Sequence, residues 1–530
     1  MTGPRTIGRD RAAARASRPV AGTSPARTIR RCVLALALGM FSLGAAPSAP
    51  AVPRPADRLA WTPCVQPGGP GDQQCAEMSV PVDHREPGGA RLSLRVTRLP
   101  SDRPAARRGV LLVAPGGPGG SGVEALAHRG PALRTALHGA YDLVSLDPRG
   151  VGGSDGSGCG LRADDRDVLA YRSWPGPGGD IRDSAARAHR TADACARNGG
   201  AVVRSYSTAN EVRDIERLRR LLGTPRLSLY GVSYGTYVSA TYAQLHPEHT
   251  DRTVLDSTDD PDPARVGRGW LARTAAGADE RFPDFARWAA DPARDRDGLR
   301  LARRPDGVRP RVLALADRLD RAPRTTDTPH KPLTGNLLRQ AVQQALTDDA
   351  AFPDLARLIV AAEDPNAVPA LPPGYATPVP DRDATVFLAT LCNDVRWPRD
   401  VRGYARDVAA DRLRHPLTAG QPVNVTPCAF WHGAPADRPV RITADGPPDV
   451  LMIQNLRDPT TPYAGALRMR KALGGRARLV TVDRGGHGVY LAHGNACGDR
   501  AVTEFLRTGH RPAADLRCPD RPAPVEKPRG

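Results

Sequence analysis

The sequence predicts an α/β fold with a mostly parallel central sheet and an inserted helical cap domain. Three observations lead there. Short apolar runs suited to buried strands recur at residues 92–97, 109–114, 142–147, 226–230 and 252–256, and two of them end in Gly-rich turns. After Asp260-Pro-Asp-Pro263 this pattern vanishes for about 165 residues, where 335–346 and 352–362 read as amphipathic helices and 365–380 as a Pro-rich connector. The strand pattern then returns at 450–454 and 478–482. A helix is expected before the 226–230 strand, with Thr208-Ala-Asn-Glu211 as its capping box and Gly223 as its stop. The expected division is an export signal at 1–51, core at 52–261, helical cap at 262–431, core again at 432–518 and a disordered tail at 519–530.

The strand at 109–114 runs into Pro115-Gly-Gly-Pro-Gly-Gly-Ser-Gly122, whose glycines let backbone approach a substrate closely. A phosphate-binding role is disfavoured, because the loop lacks GxxxxGK[ST] and has no lysine nearby. The strand at 142–147 leads into Asp147-Pro-Arg-Gly-Val-Gly-Gly-Ser-Asp155, and that at 226–230 into Gly231-Val-Ser-Tyr-Gly235. In this GxSxG pattern, a serine on a sharp strand-to-helix turn has its hydroxyl lifted clear of the sheet, while the small neighbours avoid clashes. Ser233 is the candidate nucleophile, and the Tyr234 amide, at the start of the next helix, a candidate oxyanion donor.

The partners follow in the chain order serine, acid, histidine that an α/β-hydrolase requires. Asp458 lies in Asn455-Leu-Arg-Asp-Pro-Thr-Thr-Pro462, just after one strand, and His487 in Gly485-Gly-His-Gly488, just after another. Parallel sheets gather functional groups at such positions. The other histidines, His246, His249 and His493 among them, lack the combination of a post-strand position and flanking glycines.

Together these segments resemble the proline iminopeptidase and tripeptidyl aminopeptidase branch of the α/β-hydrolases, especially secreted actinobacterial members. Pro115-Gly-Gly-Pro-Gly119 is similar to that branch's HGGPG loop, with proline replacing histidine. The other matching motifs are Asp147-Pro-Arg-Gly-Val-Gly-Gly-Ser154, Gly231-Val-Ser-Tyr-Gly235, Asp458-Pro-Thr-Thr-Pro462 and Gly486-His-Gly488. The resemblance implies a Ser233, Asp458 and His487 triad and oxyanion donors at Tyr234 and at one glycine of the Gly116–Gly117 pair, Gly117 being preferred. It implies peptide substrates, and the missing loop histidine leans toward the tripeptidyl type.

Composition fits an exported enzyme. Of the formal charge of +18, a net +7 falls within residues 1–31, and Lys331, Lys471 and Lys527 are the only lysines. The arginine-rich remainder shows no concentrated binding patch, so no nucleic-acid partner is expected; loose attraction to an anionic cell wall is the secondary expectation. A basic segment ending at Arg31 and an apolar run of about fifteen residues precede Ala49-Pro-Ala51, which reads as a signal peptide cleaved near Ala51, without stable membrane insertion. With Cys32 in that signal, eight cysteines remain, falling as sequential neighbours: Cys64 with Cys75, Cys159 with Cys195, Cys392 with Cys428, and Cys497 with Cys518. No spacing suggests zinc, and neither metal nor cofactor is expected.

These residues predict a secreted serine exopeptidase releasing short blocks, tripeptides by the resemblance, from free N-termini. A secreted carboxylesterase or lipase uses the same triad, and a silent binding protein on this fold is the remote alternative. Burying a cationic N-terminus requires a carboxylate, and Asp394, expected to face Ser233 from the cap, is the candidate. Its alternative roles are capping a helix or pairing with Arg396.

Overall fold

The computed structural model describes residues 58–520. The expected export signal and nearly all of the expected tail lie outside that range. Ten strands form one sheet in the order β1-β2-β3-β5-β4-β6-β7-β8-β9-β10: β1 (Thr62–Pro63), β2 (Gln74–Pro81), β3 (Arg91–Leu99), β4 (Gly109–Ala114), β5 (Tyr141–Leu146), β6 (Leu227–Val232), β7 (Thr250–Asp256), β8 (Val450–Arg457), β9 (Ala477–Gly485) and β10 (Leu516–Cys518). From β5 through β10 every neighbouring pair is parallel, while β1, β2 and β3 join antiparallel at one edge. The central strands β4 and β6 are apolar and almost wholly buried, as expected where helices cover both faces of a parallel sheet.

The helix before β6 spans Thr208–Leu221, but its N-cap is Ser207, whose side chain accepts from the Asn210 amide. Thr208 is thus the first helical residue, so the helix starts one position earlier than the capping-box reading gave. Its hydroxyl and amide turn outward to a distant carboxylate, described below.

Between β7 and β8 the chain is helical, with long elements at Arg268–Ala290, Val308–Arg321, Gly335–Ala345, Phe352–Glu363, Asp381–Asp394 and Val401–Arg414; an isolated bridge joins Arg324 to Leu333. The stretch divides by packing. Phe282, Phe285, Leu315, Leu337 and Ile359 share a core of their own, whereas Val386, Leu391, Trp397 and Trp431 join the core that includes Tyr234, Tyr237 and sheet residues. A second helical excursion, between β5 and the helix at Thr208, also reaches the first of these cores through Val168 and Leu169. The sequence reading did not anticipate this excursion.

All four cysteine pairs are joined as the sequence order suggested: Cys64–Cys75, Cys159–Cys195, Cys392–Cys428 and Cys497–Cys518. Among the described residues, no helix is long and apolar enough to cross a membrane.

Candidate active site

Ser233 sits between β6 and the helix Tyr234–Leu245 at φ 56° and ψ −126°. A side chain in this region is strained and persists only where its surroundings enforce it. The flanking glycines meet that requirement. A Cβ on Gly231 would lie 2.2 Å from the Gly235 carbonyl oxygen, and one on Gly235 would lie 2.1 Å from that of Ala114. The turn is locked by Ser233 N–H donating to the Asp256 carbonyl (3.0 Å) and by Thr236 N–H and hydroxyl donating to the Ser233 carbonyl (2.8 and 2.6 Å). Tyr234, the first residue of its helix, has no intrahelical acceptor for its N–H. The 115–122 loop lies against the nucleophile: a Cβ on Gly116 would be 3.5 Å from Ser233 Oγ, and Gly117 lines the same cavity as Ser233.

Asp458, fully buried after β8, accepts on Oδ1 from the amides of Thr460 and Thr461 (both 2.9 Å) and on Oδ2 from the Thr461 hydroxyl (2.9 Å). His487 Nδ1 lies 3.1 and 3.0 Å from its two oxygens. Burial opposes the charge on Asp458, but His487 and the Thr461 and Thr460 amides outweigh it and hold the carboxyl below its ordinary range. Burial likewise opposes protonation of His487, and Asp458 outweighs it, raising the imidazole above the usual histidine value. An ionised Asp458 can only accept, so Nδ1 carries the hydrogen and Nε2 keeps its lone pair.

The loop carrying His487 is fixed from several sides. Its N–H donates to the Thr347 carbonyl (2.9 Å), just beyond the helix Gly335–Ala345. Gly488 N–H donates to Ser257 Oγ (2.8 Å), and the Val489 and Tyr490 amides donate to the two oxygens of buried Asp256 (both 2.9 Å). Asn455 Nδ2 donates to the Gly486 and Gly488 carbonyls (3.0 and 3.3 Å). Asp256, Ser257 and Asn455 were not singled out from the sequence. Their positions at the ends of β7 and β8, where Asp458 also sits, were the available signal.

Ser233 and His487 both line one cavity of about 450 Å³, with Asp458 directly behind the histidine. Opposite the sheet, Gln340, Gln343, Gln344 and Thr347 face that cavity at helical spacing. Trp270, Leu271, Phe387 and Leu391 supply apolar wall. Among the described residues, Gln343 Nε2 has no hydrogen-bond partner and its nitrogen is buried.

Asp394 lies elsewhere. It accepts from the Thr208 N–H (2.9 Å) and hydroxyl (2.6 Å), tying the helix Asp381–Asp394 to the start of the helix Thr208–Leu221, and it lines a separate cavity of about 30 Å³. The helix-capping alternative describes this geometry, because two donors at a helix start satisfy the half-buried carboxylate. Burial still pushes the group up to about 6. Glu211, which accepts from the Tyr234 hydroxyl (3.0 Å), is pushed up to about 8 by burial in the same region. Among the described residues, Glu216, His246 and His249 bring potential metal-ligand atoms within 4.8 Å of one another. Glu216, however, already accepts from Arg219, Arg220 and Tyr242, a cationic setting that disfavours a metal ion.

A family model described as TAP-like protein matches residues 416–518, which include Asp458 and His487. The chain is 30% identical over 472 residues to the tripeptidyl aminopeptidase of Streptomyces lividans, covering 85% of this chain and 84% of that one. The chain belongs to the TAP-like branch of the α/β-hydrolases. Within this branch, the serine protease Hip1 of Mycobacterium tuberculosis is 28% identical over 517 residues, covering 88% of this chain and 92% of that one. A carboxylesterase B of the same species is 31% identical over 470 residues, covering 84% and 86%. The mostly parallel ten-stranded sheet with its serine turn after β6 is the architecture of an α/β-hydrolase.

Proposed function

We propose that this protein is an exported serine exopeptidase that removes short blocks, tripeptides foremost, from free peptide N-termini. The observation that carries the reading is the union in one cavity of the strained Ser233 turn, the Asp458-backed His487, and a helix face of glutamines opposite them. Side-chain amides donate to and accept from peptide bonds, and Gln340, Gln343 and Gln344 line the cavity that holds Ser233.

In the proposed reaction His487 Nε2 takes the Ser233 proton as Oγ attacks the scissile carbonyl, and Asp458 stabilises the imidazolium that forms. The amides of Tyr234 and Gly117 hold the oxyanion, a contribution of about 3–4 kcal/mol per donor in comparable sites. His487 then gives its proton to the leaving amine, and water, activated the same way, releases the acyl group. Export rests on the basic and apolar regions ahead of Ala51 and on the four disulfides, which belong to an oxidising compartment. The arginine-rich surface supports loose association with an anionic cell wall.

A second reading, a carboxylesterase with the same triad, is favoured by the match to carboxylesterase B. Hydrolysis of matched free-N-terminal peptides, N-blocked peptides and simple esters by the purified protein separates the two. The exopeptidase reading expects the free-N-terminal peptides to have the highest kcat/KM. Dominant ester turnover with no peptide cleavage replaces it with the second reading.

A further inference from the structure

The cavity holds an acidic side chain that the steps above do not use. Asp259 is 5% exposed and lines the cavity with Ser233 and His487. Its N–H donates to Thr236 Oγ1 (3.1 Å), but among the described residues its carboxyl has no hydrogen bond or ion pair. The neighbouring acids are engaged. Asp260 pairs with Arg273 (2.9 Å) and Arg468 (3.0 Å), Asp256 accepts from the Val489 and Tyr490 amides and the Tyr230 hydroxyl, and Asp458 is saturated by His487 and the Thr460–Thr461 turn. Asp348, the other carboxylate lining the cavity, is exposed and already accepts from the Ala350 amide.

A buried carboxyl without a partner is costly and is retained where something else satisfies it. We propose that Asp259 binds the α-ammonium group of the substrate's N-terminus. This rests on the exopeptidase reading and supplies the amine-reading residue expected, wrongly placed, at Asp394. Burial first, then Asp458 and Asp260, push the Asp259 carboxyl up to about 8 against the pull of His487, so these surroundings disfavour a bare carboxylate and favour one paired with a cation. The ligand that fits is a compact ammonium with three donors attached to a peptide, because the glutamine face beside it offers peptide-bond partners.

The placement also fixes a length. Asp259 belongs to the loop after β7, whose Asp256 and Ser257 hold the His487 loop, and Thr236 bridges directly from the Asp259 amide to the Ser233 carbonyl. An amine held there is tied to the nucleophile through this hydrogen-bonded link, so the anchor limits how many residues reach the scissile bond.

The test compares kcat/KM for a tripeptidyl p-nitroanilide bearing a free amine with that for its N-acetyl counterpart, in the full-length enzyme and in Asp259→Asn. The expected result is a wild-type preference for the free amine that falls ten- to hundredfold in the variant, the size of one charge-assisted hydrogen bond, mainly through KM of the free-amine substrate. A variant that keeps the wild-type ratio overturns the assignment and leaves the exopeptidase reading standing. An equal loss on both substrates, with an unchanged melting transition, also overturns it, because Asp259 then acts through the triad. Wild-type enzyme indifferent to acetylation defeats the exopeptidase reading itself. Should Asp259→Asn fail to fold, Asp259→Ser is read against the same ratio.

Discussion

Ser233 and His487 carry opposite kinds of constraint. The serine is held by backbone geometry that costs about 1–3 kcal/mol, and the histidine by a charge placed behind it. In the proposed mechanism His487 must be neutral to accept the Ser233 proton, and because Asp458 raises it above the usual imidazole range, activity is expected to be lost on the acid side at a higher pH than an unperturbed histidine would give. The acid limb of the kcat/KM profile is therefore expected to have its midpoint above about 6.5, and Asp458→Asn is expected to lower activity severalfold to many thousandfold by removing that support. A midpoint at or below the ordinary value in the wild-type enzyme would contradict this picture of the pair. Ser233, Asp458 and His487 were legible because each follows an apolar run and sits among glycines or prolines, a local signature. Asp259 gave no comparable signal. Its lack of a partner exists only once β7, the Tyr234–Leu245 helix and the histidine loop are assembled around it.

At the scale of elements, the contact between Asp394 and Thr208 shows why a site residue can be misassigned from sequence. The two lie 186 residues apart, and the pairing arises from packing of the helix Asp381–Asp394 against the helix Thr208–Leu221. Asp394→Ala is expected to destabilise the protein by about 1–3 kcal/mol, since it strips two donors at a helix start of their acceptor. Asp394→Asn, which keeps an acceptor, should cost less, and both should leave the ratio of free-amine to N-acetyl activity as in the wild type. Thermal unfolding of the two variants beside that ratio checks the assignment. Among the strands, β4 was read at its observed bounds, because a buried parallel strand is a continuous apolar run. β2 was missed, since Gln74, Glu77 and Ser79 interrupt its apolar residues and its place beside β3 depends on pairing rather than hydrophobicity. The excursion between residues 157 and 205 was missed because its helices are broken by Ser-Trp-Pro-Gly-Pro-Gly-Gly179, which reads as loop.

Over the whole molecule two of the disulfides close long segments of helical chain. Cys392–Cys428 closes a 36-residue separation between the helix Asp381–Asp394 and the turn Pro427–Ala429, and Cys159–Cys195 closes another of 36. Replacing Cys392 and Cys428 together by serine is expected to cost about 3–4 kcal/mol through loop-closure entropy, measured by denaturant unfolding at constant m. A loss below about 1 kcal/mol would show that packing around Trp397 and Trp431 already fixes this segment. Sequential pairing was readable because short loops close most cheaply. The split of the helical stretch between two cores was not, since it depends on which apolar faces meet.

The central claim, an acyl-enzyme formed on Ser233 from the N-terminal block of a peptide, is tested most directly by acid-quenching the enzyme during turnover of a free-N-terminal peptide ester and determining the intact and peptide-mapped mass. The expected adduct equals a tripeptidyl acyl group and lies on the peptide containing Ser233. An adduct on another residue, or one carrying the acetyl group of an N-blocked substrate as readily as the free-amine block, would contradict it.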